Sequence, residues 1–222
     1  STYQAMFIIG VYHKAEAPFF TTETAKSYAK FAASRYRHIP NIIWCMYPEG
    51  LSSYTPTVRA VAEGLQEGDG GTHLITIHPD PRASGSIWQS EPWLAFPILQ
   101  TFSNDLLNYT MVAEDYAKTP VKPVINGESY YENFFGTSPL DIRRDACWSW
   151  LAGGSYCYGH TENWQNPTNW RNWYESPGSQ GMKILGNFMR SLTWWKLTPD
   201  QSIISGAAGD RAAARSSDGD WI

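Results

Sequence analysis

Two glutamates stand just after apolar, strand-like runs, and their positions suit acid–base chemistry. Glu49 follows the run that ends at Tyr47, and Glu128 ends the segment 122–128. Three predicted strand–helix units separate them, which in a ring of parallel strands places two side chains across the mouth of the ring. Such a pair can hydrolyse a glycosidic bond, because one carboxyl protonates the leaving oxygen while the other attacks or stabilises the oxocarbenium-like centre. The spacing therefore predicts Glu49 and Glu128 as catalytic residues.

A third acidic residue competes for one of these roles. Glu132 lies in the same segment as Glu128, beside two tyrosines. It can replace Glu128 as the reactive carboxylate, or it can form an ion pair with Arg143 or Arg144 and hold the loop. The sequence leaves both interpretations open.

Six further side chains are candidates for contacting a substrate. The histidines and the glutamine stand at predicted strand ends, Tyr131 neighbours Glu128, and the tryptophans offer flat rings that can stack on a sugar. The predicted substrate-binding residues are His78, Gln100, Tyr131, His160, Trp164 and Trp88. The alternative for each histidine is a hydrogen-bonded structural role, and for each tryptophan it is a place in the core.

No sequence motif indicates a cofactor. The strand-to-helix turns carry no GxGxxG or Walker loop, and no serine or cysteine stands in a GxSxG elbow. His78, His160 and a glutamate could together hold a metal ion, but they lack the close spacing between two ligands that most such sites have. We therefore expect neither metal nor cofactor, and a metal-dependent hydrolase is the weaker alternative.

The chain alternates between short apolar runs and helical periodicity. Strands are predicted over 7–13, 42–47, 73–78, 95–102, 123–126 and 154–158. Helices are predicted over 22–37, from 55 onward, and over 104–117, 138–151 and 178–195, whereas 79–93 has the pattern of a loop. The expected apolar faces of the first two helices are Ala25, Tyr28, Ala32 and Tyr36, and Val58, Val61, Ala62 and Leu65. Such alternation predicts an α/β fold whose parallel strands are joined by crossover helices.

Polar residues at the strand ends favour a (β/α)8 TIM barrel over a doubly wound sheet, because a barrel gathers the carboxyl ends of its strands on one face. The chain accounts for about six β/α units, so we expect an incomplete barrel that lacks its first two units. The expected domains are a partial TIM-barrel catalytic domain over 1–205, and a linker or the start of a C-terminal β domain over 206–222.

Composition narrows the choice of partner. The net charge is −4, which argues against nucleic acid, and no long apolar run indicates a membrane span. Aromatic residues make up 15% of the chain, and many lie in turns beside Gly, Asn, Pro and Glu. Flat rings near carboxylates and amides suit a carbohydrate, which has apolar faces and hydroxyl edges. The expected partner is therefore a carbohydrate substrate.

Several segments, taken in order, resemble one enzyme family. They are 35–36, 41–44, 58–64, 73–79, 122–128, 131–132, 152–160, 176–179 and 194–200. Together they are similar to the apiosidase-like glycoside hydrolases, a (β/α)8 family that acts on plant cell-wall glycans. The resemblance implies an acid/base at the end of the fourth barrel strand and a nucleophile at the end of the seventh. Those roles fall on Glu49 and Glu128.

The chain departs from the family pattern at one of these positions. The family usually has Gly-Gly-Asp where this sequence has Tyr47-Pro48-Glu49. The glutamate side chain is one methylene longer, so it can still donate a proton if the loop lies further back. The replacement can equally alter the linkage preference or abolish activity.

The resulting hypothesis is a glycoside hydrolase that cleaves plant or microbial polysaccharide with retention, through a glycosyl-enzyme intermediate on Glu128. The alternative is a non-catalytic carbohydrate-binding barrel, which the replacement at Glu49 favours. A polymeric substrate implies a secreted or periplasmic protein.

Overall fold

The short apolar runs become parallel strands, and the segments of helical period become the helices that join them. The computed structural model describes residues 5–47, 55–205 and 211–219. The chain divides into two structural units between Ile98 and Leu99. Within the described ranges, no helix is both long enough and apolar enough to cross a membrane.

The first unit contains a parallel sheet. Its strands are β1 (Phe7–His13), β2 (Ile42–Tyr47), β3 (Ile75–Ile77), the short β4 (Ala83–Ser84) and the first residues of β5 (Leu94–Gln100). The order β1-β2-β3-β5 is parallel throughout, with Trp44 of β2 between Ile9 and Ile75. Part of the predicted 79–93 loop is ordered into β4 and a 3-10 turn over Gly85–Trp88.

Two helices of this unit, α1 (Thr22–Tyr36) and α2 (Thr55–Asp69), approach each other closely through small residues. A Cβ added to Gly64 of α2 would lie 2.3 Å from the carbonyl oxygen of Lys26 in α1. The face that α1 buries consists of Ala25, Ala29 and Ala33. The predicted face through Tyr28 and Tyr36 is wrong, because backbones this close leave room for methyl groups but not for tyrosine rings.

The prediction for α2 is confirmed. Its expected apolar stripe, Val58, Val61, Ala62 and Leu65, is buried in the core of the first unit. The same core contains Trp88, which is 4% exposed. Since protein covers its ring, Trp88 has almost no surface on which a sugar could stack.

The second unit begins within β5 and continues the alternation of strand and helix. Its elements are α3 (Leu107–Tyr116), β6 (Ile125–Asn126), α4 (Pro139–Leu151), β7 (Ser155–Tyr156) and α5 (Pro177–Arg190). β6 and β7 pair in parallel, with Ile125 opposite Ser155. The helix predicted over 178–195 ends at Arg190, and a separate 3-10 turn covers Trp194–Lys196. The predicted α/β class, with parallel strands joined by helices in the order of a (β/α) barrel, is confirmed.

The described part of the C-terminal segment contains a strand. β9 (Ala214–Ser216) pairs antiparallel with β8 (Leu197–Pro199). The division of the chain at 205 into a barrel domain and a linker or β domain stays a prediction.

A buried network of polar side chains holds the carboxyl end of β6. The amide of Asn126 donates to Asn108 Oδ1 at 2.9 Å and to Ser149 Oγ at 3.0 Å, and Thr101 Oγ1 donates to Asn108 Oδ1 at 2.5 Å. All four side chains are buried. Because polar groups away from water need partners, this network fixes the position of the residue that precedes Gly127.

Asp145 in α4 is also fully buried, but unlike the side chains of this network its carboxyl lacks hydrogen-bond partners among the described residues. Burial raises the pKa of Asp145 to about 8, although the charge of Arg144 opposes the increase. The folded protein therefore keeps this carboxyl protonated at neutral pH.

We expect Asp145 to make the protein less stable as the pH rises. The unfolded chain releases this proton near pH 4 and the folded chain near pH 8, so between these values folding retains a proton and stability falls with increasing pH. Each unit of pKa displacement corresponds to about 1.4 kcal/mol. Asp145→Asn should flatten the decline in the free energy of unfolding between about pH 5 and about pH 8, as measured by urea unfolding.

The exposed carboxyl of Asp218 offers a matched control in the same unit. Asp218→Asn should leave the slope over this pH range unchanged. An unaltered slope in Asp145→Asn would show that another group is responsible.

Candidate active site

Glu128 lies in an open pocket of the second unit, just beyond the carboxyl end of β6. The pocket has a volume of about 180 Å³ and is lined by Phe102, Glu128, Ser129, Tyr131, Phe134 and Trp164. Four of these six side chains are aromatic. The half-buried carboxyl of Glu128 is the acidic group of the lining, so the pocket places one carboxylate against aromatic walls.

Backbone hydrogen bonds hold the segment that carries Glu128. The N–H of Gly127 donates to the carbonyl of Leu99 at 2.9 Å, and the N–H of Phe102 donates to the carbonyl of Glu128 at 3.1 Å. Ser129 is 2% exposed, and its hydroxyl lies 2.8 Å from the hydroxyl of Tyr156 in β7. These bonds fix the main chain on both sides of the Glu128 side chain.

Aromatic contacts shape one wall of the pocket. The rings of Phe102 and Tyr130 meet edge to face at 5.2 Å, and Phe134 contacts both of them. Phe102 has φ of 44°, in the left-handed region. Because non-glycine residues rarely adopt this conformation, the surrounding contacts must hold Phe102 in place.

Tyr131 and Trp164 reach the pocket from a second direction. A Cβ added to Gly159 would lie 2.2 Å from the ring of Tyr131, so the absence of a side chain at Gly159 makes room for this ring. Trp164 is 64% exposed, and its backbone N–H donates to the carbonyl of His160 at 3.2 Å. Trp164 therefore offers an open ring surface beside Glu128.

Glu132 does not line the pocket. It is 2% exposed, and its carboxylate accepts hydrogen bonds from Tyr158, Ser176 and the N–H of Gly178. Burial alone would raise the pKa of Glu132, but these hydrogen bonds outweigh it and hold the pKa below its usual value. Glu132 is thus an ionised, internal carboxylate, which leaves Glu128 as the accessible one of the two.

The carboxylate of Glu132 forms these hydrogen bonds in place of the predicted ion pair with Arg143 or Arg144. Arg144 instead pairs with Asp141 at 2.8 Å and donates to the carbonyl of Asn104. Asp141 is part of the cap of α4, where it accepts from Ser138.

His160 and Gln100 are buried and do not contribute to the pocket lining. The Nδ1 of His160 accepts the N–H of Glu162 at 3.1 Å, and its ring stacks on Trp173 at 5.2 Å. His160 therefore supports the turn that carries Trp164. Direct contact of His160 or Gln100 with a substrate stays a prediction.

Two of the predicted site residues, His78 and Glu49, are not among the residues that line this pocket. In the first unit, His78 is half-buried at the end of β3, stacks on Tyr47 at 4.6 Å, and directs Nδ1 to the carbonyl of Pro79. Glu49 lies outside the described residues. A retaining mechanism would require its carboxyl to lie about 5 Å from that of Glu128.

The structure places Glu128, Tyr131 and Trp164 in one pocket, and their catalytic and binding roles stay predictions. Sequence reasoning missed Phe102, Ser129 and Phe134. Phe102 ends a predicted strand, and this position could have identified it as a site residue. No periodicity in the sequence distinguishes Ser129 or Phe134. In the part of the chain that the structure describes, no three His, Cys, Asp or Glu side chains are grouped so as to hold a metal ion.

Residues 2–196 match the family described as apiosidase-like, catalytic domain. A search of curated proteins found no match.

Two solved structures are similar over most of the chain. A protein titled glycoside hydrolase is 29% identical over 91% of this chain, with a TM-score of 0.82. A glycoside hydrolase family 5 protein from Bacteroides vulgatus is 28% identical over 94% of this chain, with a TM-score of 0.83. The chain spans 55% and 56% of the lengths of these two proteins.

We expect Gly159→Ala to destabilise the protein through the ring of Tyr131. The added methyl would overlap the ring, and overpacking of this kind typically costs about 1–3 kcal/mol. Urea unfolding should show this loss in Gly159→Ala, and much less of it when Tyr131→Ala is already present. Gly186→Ala is the matched control, because a Cβ there would meet only the end of the Arg190 side chain at 3.4 Å. If Gly159→Ala lowers the free energy of unfolding equally with and without the Tyr131 ring, this contact is not the cause of the loss.

Proposed function

Because the chain belongs to the apiosidase-like catalytic-domain family, we propose that its protein is a glycoside hydrolase acting on plant or microbial polysaccharide. Glu128 is the proposed nucleophile, and Glu49 is the proposed acid/base. The proposal extends to the whole protein, of which this chain corresponds to about half the length of its solved relatives.

The observation that carries the proposal is the position of Glu128. Its carboxyl lies at the carboxyl end of a parallel strand, in a pocket with four aromatic side chains. A carboxylate at that end of a strand can reach a ligand held above the sheet, as in (β/α) enzymes generally. Aromatic rings bind the apolar faces of sugars, so the lining fits the proposed substrate class.

The proposed chemistry is a double displacement with retention. Glu49 protonates the glycosidic oxygen while the carboxylate of Glu128 attacks the anomeric carbon, and the leaving sugar departs as an alcohol. Glu49 then removes a proton from water, which attacks the anomeric carbon and releases Glu128. This sequence requires the two carboxyls to lie about 5 Å apart, whereas about 6.5–9.5 Å would fit inversion.

The open face of Trp164 supports a role in substrate binding, with Tyr131 beside it. His78, Gln100 and His160 remain proposed substrate contacts from the sequence pattern. A polymeric substrate also implies that the protein works outside the cytoplasm, either secreted or in the periplasm.

A second candidate function is carbohydrate binding without hydrolysis. The sequence Tyr47-Pro48-Glu49 stands where the family usually has Gly-Gly-Asp, so the proton donor has been changed. The aromatic pocket alone would suffice for binding.

We expect Glu128→Gln to abolish turnover without abolishing binding. The amide is similar in size but cannot attack the anomeric carbon, so kcat should fall by about a thousandfold or more. The full protein and the variant should be assayed on aryl glycosides and pectic oligosaccharides, with proton NMR of the first sugar released to report retention. Glu162→Gln is the control, since it alters an exposed carboxyl on the turn that carries Trp164.

Unchanged turnover in Glu128→Gln would show that Glu128 is not the nucleophile. Binding of oligosaccharides by the unaltered protein without any turnover would favour the non-catalytic alternative.

A further inference from the structure

The carboxylate of Glu132 joins three separate parts of the second unit. Tyr158 donates to its Oε2 at 2.5 Å from the segment after β7, and Ser176 donates to the same oxygen at 2.7 Å. The N–H of Gly178 donates to Oε1 at 2.9 Å. A side chain that is 2% exposed therefore has both of its oxygens bound.

Two of these donors belong to the amino-terminal end of α5. Ser176 caps this 14-residue helix, and Gly178 provides one of the first-turn N–H groups that have no partner within a helix. The helix dipole also favours a negative charge at this end. The site is thus built to hold the ionised form of Glu132.

Close approach at this helix end depends on a glycine. A Cβ added to Gly178 would lie 2.4 Å from Oε2 of Glu132 and 2.6 Å from its carboxyl carbon. Any side chain at Gly178 would push the carboxylate away from the end of the helix.

The main chain of Glu132 is fixed as firmly as its side chain. Its N–H donates to the carbonyl of Gly159 at 3.0 Å, and its carbonyl accepts the N–H of Thr161 at 3.1 Å. Between Glu132 and Glu128, the N–H of Tyr130 donates to the carbonyl of Ser103 at 3.0 Å. These hydrogen bonds leave the main chain between Glu128 and Glu132 little freedom to adjust. A displacement of Glu132 therefore also displaces Glu128.

We propose that Glu132 is a positioning residue, whose buried carboxylate ties the segment carrying Glu128 to the amino-terminal end of α5 and so sets the direction of the Glu128 side chain. This inference rests on the proposed role of Glu128 as nucleophile. Glu132 does not touch the substrate, because both of its oxygens are bound within the protein and it does not line the pocket.

The first measurement separates positioning from binding. A misplacement of the reacting group by about 1 Å can cost about a hundredfold in rate. Glu132→Ala should therefore lower kcat by about 10–100-fold while KM changes less than about threefold, because the pocket walls remain. Tyr158→Phe removes one of the three hydrogen bonds and should lower kcat by a smaller factor in the same direction.

Asp141 provides the matched control. It is also a carboxylate bound by the capping serine of a helix in the second unit, with Ser138 and α4 in place of Ser176 and α5. Asp141→Ala should also lower the stability of the protein through the loss of this cap, yet keep kcat within about twofold, since Asp141 does not tie down the segment of Glu128. A fall in kcat as large in Asp141→Ala as in Glu132→Ala would overturn the proposal, because general loss of stability would then explain both.

Amide hydrogen exchange gives a test that does not depend on turnover. Exchange over residues 127–132 should be faster in Glu132→Ala and Tyr158→Phe than in the unaltered protein, but not in Asp141→Ala. If the unaltered protein has no glycosidase activity, the proposed function fails while exchange still decides whether Glu132 holds the segment. If Glu132→Ala does not fold, Tyr158→Phe decides, and unchanged kcat and exchange in that variant would contradict the proposal.

Discussion

A carboxylate removed from water needs hydrogen-bond donors, and in the second unit this requirement determines how the loop after β6, the segment after β7 and the helix α5 meet. Desolvation of an isolated carboxylate costs far more than any single hydrogen bond returns. Glu132 has three donors, and hydrogen bonds to charged groups contribute roughly 1.5–3 kcal/mol each. Together these donors outweigh the desolvation of the carboxylate, which explains why the net effect is a lowered pKa despite burial.

Asp145 shows what happens to a carboxyl in the same unit without such donors. Its oxygens have no hydrogen-bond partner among the described residues, and its pKa is raised to about 8. The two residues are similar in chemistry and burial, yet one is held as an anion and the other as a neutral acid. The difference lies in the number and direction of the N–H and O–H groups around them.

The pocket around Glu128 depends on this internal framework. The buried network of Asn126 holds the strand before Glu128, and the hydrogen bonds of Glu132 hold the loop after it. Glu128 itself is left half-buried, facing a space between aromatic rings. Rigid attachment on both sides, with an accessible carboxylate between them, suits the nucleophile role proposed for Glu128.

Much of the fold follows from patterns that act locally. Apolar runs predict the strands because they must be covered on both faces, and a glutamate directly after such a run must lie near the strand's carboxyl end. The stripe of α2 could be predicted because its large apolar residues recur with the helical period. Glu128, Tyr131 and Trp164 were accessible to the same reasoning, since each follows a predicted strand closely.

Contacts between elements determined the features that local patterns could not predict. The buried face of α1 consists of alanines because the glycines of α2 bring the two backbones together, and the period of α1 alone points to its tyrosines instead. Trp88 entered the core although its local sequence resembles a loop. The role of Glu132 depends on donors from Tyr158, Ser176 and Gly178, which are far from it along the chain. Periodicity records which residues share a face of one element, but only the folded protein determines which atoms of other elements that face meets.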